Sequence, residues 1–546
     1  SPLPEAPAEM QTTHPLSGNE QTALQLHIMA GEMAAGRDQP AVAAREFIEA
    51  LKSVKDVELA QRATALALSA NDEDLSLEAA TRWLELAPNE MDPREVIARV
   101  SLMQGKLSET ITQCEAIISG HAGGVDDGLR HVSLLLTQAN NNRGDAALAV
   151  MHQLMAKRIE RAAAHQALGL VALRFQKYET AESAAREALR LAPDNRDHSL
   201  LLAGALIRQN KLAESDRVMA SLLSQEKERG ALRLAYSRLL LDAGQREAAR
   251  PQLALALDEN PKLNDARYAL AVMAVTDRRY DEAADLFTPL LSGSRAQDVA
   301  FQMGRVEEGR KQYEKAMAYY AQVRNGTQAL EAAIRRAYVL ALMNKIPESR
   351  SLLQNLREQL PQLSDRFTLA EADILLTTGA HREALGVYDQ ALKKNPDDTE
   401  LLYGRSLVHE KMSKIALAEK DLRAILKLDQ DNSQALNALG YALTVHTQRY
   451  AEARQMISRA LELDPDDPAI MDSLGWVQYK LGKKDEALNW LRKAHQRMPD
   501  PEVAAHYGEL LWATGDKSAA RAVWDKALSD DPGHPVLTET VQRLTR

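Results

Sequence analysis

"LGLVALRFQKYETAESAAREALRLAPDN", residues 168–195, sets small residues at Gly169, Ala181 and Ala188, an aromatic at Tyr178 and a proline at Pro193. The same offsets recur along the chain. Aligning the first alanine of the second half-unit gives Ala384, Ala418, Ala453, Ala487 and Ala520, in steps of 34, 35, 34 and 33 residues. Upstream, Ala181 and Ala249 keep the same offsets to a following alanine and proline, and Ala283, Ala316 and Ser349 continue the ladder. Self-similarity at such a period marks a repeat architecture, in which each unit is one supersecondary element.

Each unit contains two helical stretches of about a dozen residues, too short to be stable alone, joined by turns such as "QNKLAE" (209–214) and "LGKKDE" (481–486). Gly169, Gly440, Gly475 and Gly508 on first helices, with Ala181, Ala188, Ala453, Ala487 and Ala520 on second helices, are read as spacers that let two helix axes approach. Endings such as "KKNPDD" (393–398) and "LDPDDP" (463–468) stop the second helix at proline and supply an Asp to cap the next. No single pair can bury its apolar face, so each unit requires neighbours.

The bulk numbers agree. The chain has 546 residues, 45% hydrophobic but only 4% aromatic, a balance that favours helix over sheet. Net charge is -10, against a general nucleic-acid binder. Residues 1–150 hold 11 basic against 22 acidic side chains, and residues 151–250 hold 17 against 12. The single cysteine, Cys114 in "ITQCEAII", excludes an internal disulfide and a four-cysteine zinc site, and reads as a small buried hydrophobe. The apolar run "LLLAGALI" (200–207) is far short of the ~20 residues that span a bilayer.

No catalytic constellation emerges. "GDKSAA" (515–520) lacks the full phosphate-loop pattern, and "HAGGVDDG" (121–128) falls where a loop between units belongs. His409 and Glu410 are adjacent and so point to different helix faces. The expectation is a non-enzyme with no cofactor and no metal, working by protein binding.

The pattern resembles the tetratricopeptide repeat (TPR), a helix-turn-helix unit of about 34 residues. The resemblance implies an all-α fold: a right-handed superhelical solenoid of about fourteen units. The expected organisation is a flexible Pro-rich tether over 1–22 and a divergent helical region over 23–160, where "RWLELAPN" (82–89) and "LMQGKLSE" (102–109) are blurred copies. A TPR array then fills 161–534, with a capping helix over 535–546.

In that family first helices line the concave face and second helices pack outside, which places Trp490 and Trp524 in the core. Asn437, Tyr441, Asp472, Trp476, Tyr479 and Trp512 become candidates for protein binding, and so do Arg174, Arg208 and Arg238, read as a ladder for carboxylates. For Tyr441 and Trp476, next to the spacer glycines, simple burial is the competing reading. Asn437 alone matches the family's carboxylate clamp, so that mode is not expected.

The whole layout, with passages such as "LGYALTVHTQRYAEA" (439–453) and "DSLGWVQYKLGKKDEALNWLRKA" (472–494), is similar to a proteobacterial group of TPR outer-membrane lipoproteins. These are adaptors of a periplasmic carboxy-terminal processing protease (LbcA-like). That likeness implies a lipid anchor upstream of Ser1 as the only tie to the membrane, the protease as partner, and substrates such as peptidoglycan hydrolases. The alternative is a cytosolic TPR co-chaperone or assembly scaffold. A third reading is a regulatory part of a modifying enzyme such as a glycosyl transferase.

Overall fold

The computed structural model describes residues 11–546, which form 31 α-helices and three short 3-10 turns. Among the described residues the only pairing of β type is an isolated bridge between Thr12 and Val54. The chain divides into two compact units, Ser1–Leu270 and Ala271–Arg546. Within each, consecutive helices pair as antiparallel hairpins, and the chain's thirty-first helix, Pro535–Thr545, lies against Pro501–Ala513 at the end of the second unit. Each unit is an all-α stack of helix pairs.

The turn inside most pairs has one conformation, used repeatedly. A single residue with positive φ follows the first helix at Asp38, Asn71, Gly105, Gln176, Asn210, Gly244, Arg278, Lys311, Asn344, Gly379, Ser413, Gly482 and Gly515. The next residue's N–H then returns to a carbonyl five residues back, as in Lys177 to Ala172, Lys345 to Leu340 and Lys483 to Gln478, each 2.8–2.9 Å. This closure satisfies carbonyls that a helix end leaves free. Two pairs depart from it: Val125–Thr137 and Gly144–Ala156 are joined through the 3-10 turn Asn141–Arg143, and in Ser433–His446 with Tyr450–Leu463 the first helix ends in extended Thr447.

The spacer residues sit where helices come close together. A Cβ on Gly169 would lie 2.6 Å from Leu201 Cδ2, one on Gly440 2.5 Å from Ile457 Cγ1, and one on Gly475 2.7 Å from Leu491 Cγ. At Gly508 it would strike the indole of Trp524. Ala181, Ala188, Ala453, Ala487 and Ala520 are fully buried. The capping reading also matches: Asp398 accepts from Leu401 N–H at 3.1 Å, Asn432 from Ala435 at 2.9 Å and Asp500 from Val503 at 2.8 Å.

One expectation about organisation needs correction. Residues 1–10 of the expected tether lie outside the described residues, but 11–22 are structured. Thr13 N–H bonds Ser53 O at 3.0 Å, and Ser17 with Glu20 forms a capping box that starts the helix Gly18–Gly36. A hydroxyl three residues before a glutamate overrides the nearby prolines. Pairing therefore begins at Gly18, and the 31 described helices accord with an array of about fourteen units. Helices follow one another through residue 160 as they do elsewhere in the unit. The N-terminal repeats lose motif aromatics and prolines but keep buried small residues such as Ala43, Ala79, Ala98 and Ala147, and those suffice for packing.

Gly475→Leu overpacks its helix pair and costs ~1–3 kcal/mol, read as a lower melting temperature. Lys311→Gly relieves a left-handed lysine (φ 60°), and a gain of ~0.5–1 kcal/mol is expected in the same measurement.

Candidate functional site

Three consecutive first helices, Ser433–His446, Pro468–Lys480 and Pro501–Ala513, bring most of the candidate aromatic and acidic residues together. Tyr441 donates its hydroxyl to Glu502 Oε1 at 2.7 Å, a bond between side chains 61 residues apart. Asp472 accepts from His506 Nδ1, with both oxygens at 3.0 Å. Trp476 stacks on the His506 ring with centroids 4.1 Å apart, and Tyr479 tilts against Trp476 at 5.4 Å. Arg543 of the last helix reaches back to Glu509, with contacts of 2.8 and 3.2 Å.

The electrostatics of this cluster centre on His506. Its complete burial disfavours the charged imidazolium, but Asp472, Glu502 and Glu509 outweigh that cost and raise its pKa above the ordinary 6.5. Burial, with Glu502 close by, pushes the Tyr441 phenol far above its usual range. The Asp472–His506 contact ties neighbouring repeats, and the Tyr441–Glu502 bond reaches across the repeat between its two helices.

Trp476 is therefore not an exposed anchor. It is 8% exposed, Asp472 is 6% exposed, and both are spent on contacts within the chain. The packing glycines Gly475 and Gly508 draw the helices so close that the residues after them, Trp476 and Glu509, are enclosed. Tyr441 is half-buried and already bonded, and Asn437 is half-buried with Oδ1 lacking a partner. His506 and Glu502, which complete the cluster, escaped sequence reasoning because neither lies at the register of the aromatic candidates.

Tyr479 and Trp512 remain partly exposed. Trp512 does not join the His506 cluster. Its ring meets Trp524 at 5.6 Å and carries Lys517 Nζ 4.7 Å and the Arg521 guanidinium 5.4 Å from its centroid. Trp524 is buried as expected, whereas Trp490 is only partly so, with Lys493 over its ring.

The arginine ladder is broken. Counted from the left-handed turn residue, Arg174 and Arg208 each stand two positions before it, but Arg238 stands six before Gly244, and the equivalent rung is Asp242. Arg174 bonds Asn141 Oδ1 at 2.9 Å, Arg208 is exposed, and Arg238 pairs with Asp265 at 2.8 Å. These three do not form a single carboxylate-binding row.

The motifs set aside on sequence grounds are structural. Asp516 in "GDKSAA" caps the following helix through Ala519 N–H. The carboxylates of "HAGGVDDG" engage Arg161 and Arg130. His409 faces Asp421 while Glu410 bonds His446. Cys114 is fully buried, and desolvation, helped by Glu115, pushes its thiol up to about 12. Among the described residues no group of three or more His, Cys, Asp or Glu is arranged to hold a metal.

Models of the tetratricopeptide repeat match residues 136–195, 167–215, 234–291, 369–412, 403–468 and 444–505, together about half the chain. The chain belongs to the tetratricopeptide-repeat family. A TPR repeat-containing protein of Pseudomonas aeruginosa is 39% identical over 245 residues, which cover 45% of this chain and 42% of that protein. The human protein O-mannosyl-transferase TMTC1 is 27% identical over 174 residues, 31% of this chain and 20% of the transferase. The matched stretches thus span less than half the length of either relative. Among solved structures, a thermophilic TPR protein of Thermus thermophilus is 23% identical, with a TM-score of 0.31, over 33% of this chain and 98% of that one. Proteins of this family bind other proteins, and this TPR chain is read accordingly as an interaction scaffold.

Two outcomes follow for the cluster. Trp476→Ala removes a buried aromatic and lowers stability by ~3–5 kcal/mol, seen as a reduced melting temperature. The His506–Asp472 pair contributes fully below the ordinary histidine value of 6.5 and is lost as pH rises through the raised value. The stability gap between wild type and Asp472→Asn is therefore widest in mildly acidic buffer, ~3–5 kcal/mol for a broken buried pair. It narrows as the solution becomes alkaline, and denaturation curves across pH measure it.

Proposed function

We propose that this protein is a non-catalytic adaptor. It holds a periplasmic carboxy-terminal processing protease and presents substrates to it, peptidoglycan cross-link hydrolases among them. In this reading it sits at the periplasmic face of the outer membrane through a lipid anchor upstream of Ser1. No described helix is long and apolar enough to cross a membrane.

One observation carries the reading. The two passages that resemble the adaptor family, 439–453 and 472–494, lie in the repeats that Tyr441, Asp472 and Trp476 lock onto Glu502 and His506. An adaptor must hold two partners in a fixed relation, and cross-repeat bonds of this kind suppress hinge motion between neighbouring pairs. Holding enzyme and substrate together replaces a bimolecular encounter by an intramolecular one.

Reconstitution tests it. The purified chain, the protease and a hydrolase substrate are expected to co-elute, and the chain is expected to speed cleavage by ~10-fold or more through effective concentration. Separate elution with an unchanged cleavage rate overturns the proposal, and turnover of a small molecule by the chain alone overturns its non-catalytic part.

A further inference from the structure

In the second compact unit, exposed arginines such as Arg449, Arg459 and Arg497 are spent on carboxylates. The turn edge of the last two helix pairs is different. Lys480, Lys483 and Lys484 lie at the turn between Pro468–Lys480 and Lys484–Arg497. Lys517 and Arg521 follow the turn between Pro501–Ala513 and Lys517–Asp530. All five are exposed, and among the described residues none of them forms an ion pair.

Three of them rest on rings instead. Lys517 Nζ stands 4.7 Å and the Arg521 guanidinium 5.4 Å from the centroid of Trp512. Lys480 Nζ stands 5.1 Å from that of Trp476 and 5.9 Å from that of Tyr479. A ring face attracts a cation through its quadrupole and does not take up the N–H donors as a carboxylate would, so they stay free for an outside anion. Asp485, Glu486 and Asp516 share the edge, but two of these are engaged. Glu486 accepts from Gln478 Nε2 at 3.0 Å, and Asp516 accepts from Ala519 N–H at 3.1 Å.

Helix physics does not account for these cations. Lys483 caps the helix Lys484–Arg497, Lys484 is its first residue, and Lys517 is the first residue of Lys517–Asp530. The amide end of a helix carries partial positive charge, which disfavours a cation there. Three lysines therefore stand where local stability would favour acids.

We infer that this edge is a docking surface for the headgroup layer of an anionic phospholipid bilayer. Surfaces that sit at such a layer combine Trp and Tyr at headgroup level with Lys and Arg that face the anionic lipids. Tyr479 and Trp512, both partly exposed, supply the first component and the five cations the second. Single-stranded nucleic acid also uses cations and aromatics, but it needs free ring faces on which bases stack. Here Trp512 carries Lys517 and Arg521 and meets Trp524, while Tyr479 carries Lys480 and meets Trp476.

The surface goes beyond the adaptor reading, which ties the chain to the membrane only through an anchor upstream of Ser1. The test therefore uses the full chain Ser1–Arg546 without a lipid, mixed with vesicles and sedimented. It should co-sediment with phosphatidylcholine vesicles that contain phosphatidylglycerol, release in high salt, and ignore pure phosphatidylcholine. Lys483→Glu with Lys484→Glu and Lys517→Glu puts acids at helix starts, where they suit the dipole, so this variant folds. Its vesicle affinity should fall by ~10-fold or more. Lys345→Glu with Lys411→Glu and Lys414→Glu reverses as many exposed charges away from the rings and should bind as wild type. Vesicles with brominated acyl chains should quench tryptophan emission, and Trp512→Phe should lose most of that quenching. Failure to bind phosphatidylglycerol vesicles, equal loss in both triple variants, or undiminished quenching in Trp512→Phe overturns the inference. So does tighter binding to a single-stranded oligonucleotide or to polyglutamate than to vesicles. Protease capture on the Lys483, Lys484 and Lys517 variant separates the two readings. The adaptor proposal stands if capture survives while vesicle binding is lost, and the docking inference stands if wild type binds vesicles but captures no protease.

Discussion

Close approach of two short helices is the constraint on which this protein rests. A helix of about fourteen residues has little stability of its own, so each must bury one side against a partner, and burial is efficient only when the axes come near. Glycine and alanine at fixed positions permit that approach. At Gly440 and Gly475 the opposing surface is not only a side chain but also the carbonyl of Ala453 or Ala487, 3.0 and 3.2 Å from where a Cβ would stand. The left-handed residue and returning hydrogen bond in the turn then set the angle at which each second helix leaves. Repeating one angle and one spacing produces an array rather than a closed core.

The same closeness accounts for the chemistry of the C-terminal repeats. When first helices sit side by side, residues beside the packing glycines are wholly or partly trapped between neighbours, and buried polar groups there must find partners inside the chain. Tyr441 finds Glu502, Asp472 finds His506, and Trp476 covers the imidazolium. The cluster is a tie between repeats with an unusually basic histidine at its centre. Binding surfaces must be sought where packing is looser, at the rim around Tyr479 and Trp512.

Much of the fold was legible from residue spacing, and the candidate site only partly. The period, the helix pairs, the spacer residues and the capping Asp and Asn all follow from local rules that act within some thirty residues. The start of the array at Gly18 was legible too, in the Ser17 and Glu20 capping box, but the surrounding prolines masked it. Candidate site residues fared less well because exposure is a property of neighbours. Trp476 and Trp512 both fall on first helices, yet one is enclosed by His506 from the next repeat and the other sits partly open under Lys517 and Arg521.

Sequence alone determined the all-helical repeat, its period and its packing residues, because each depends on interactions between residues near in the chain. Tertiary structure alone decided which aromatic residues are spent inside and that the apparent arginine row is out of register at Arg238. Those outcomes depend on where side chains from different repeats meet, sometimes 61 residues apart as for Tyr441 and Glu502. A repeating pattern says that such meetings recur, but the identity of the residues that meet is set only when the helices stack.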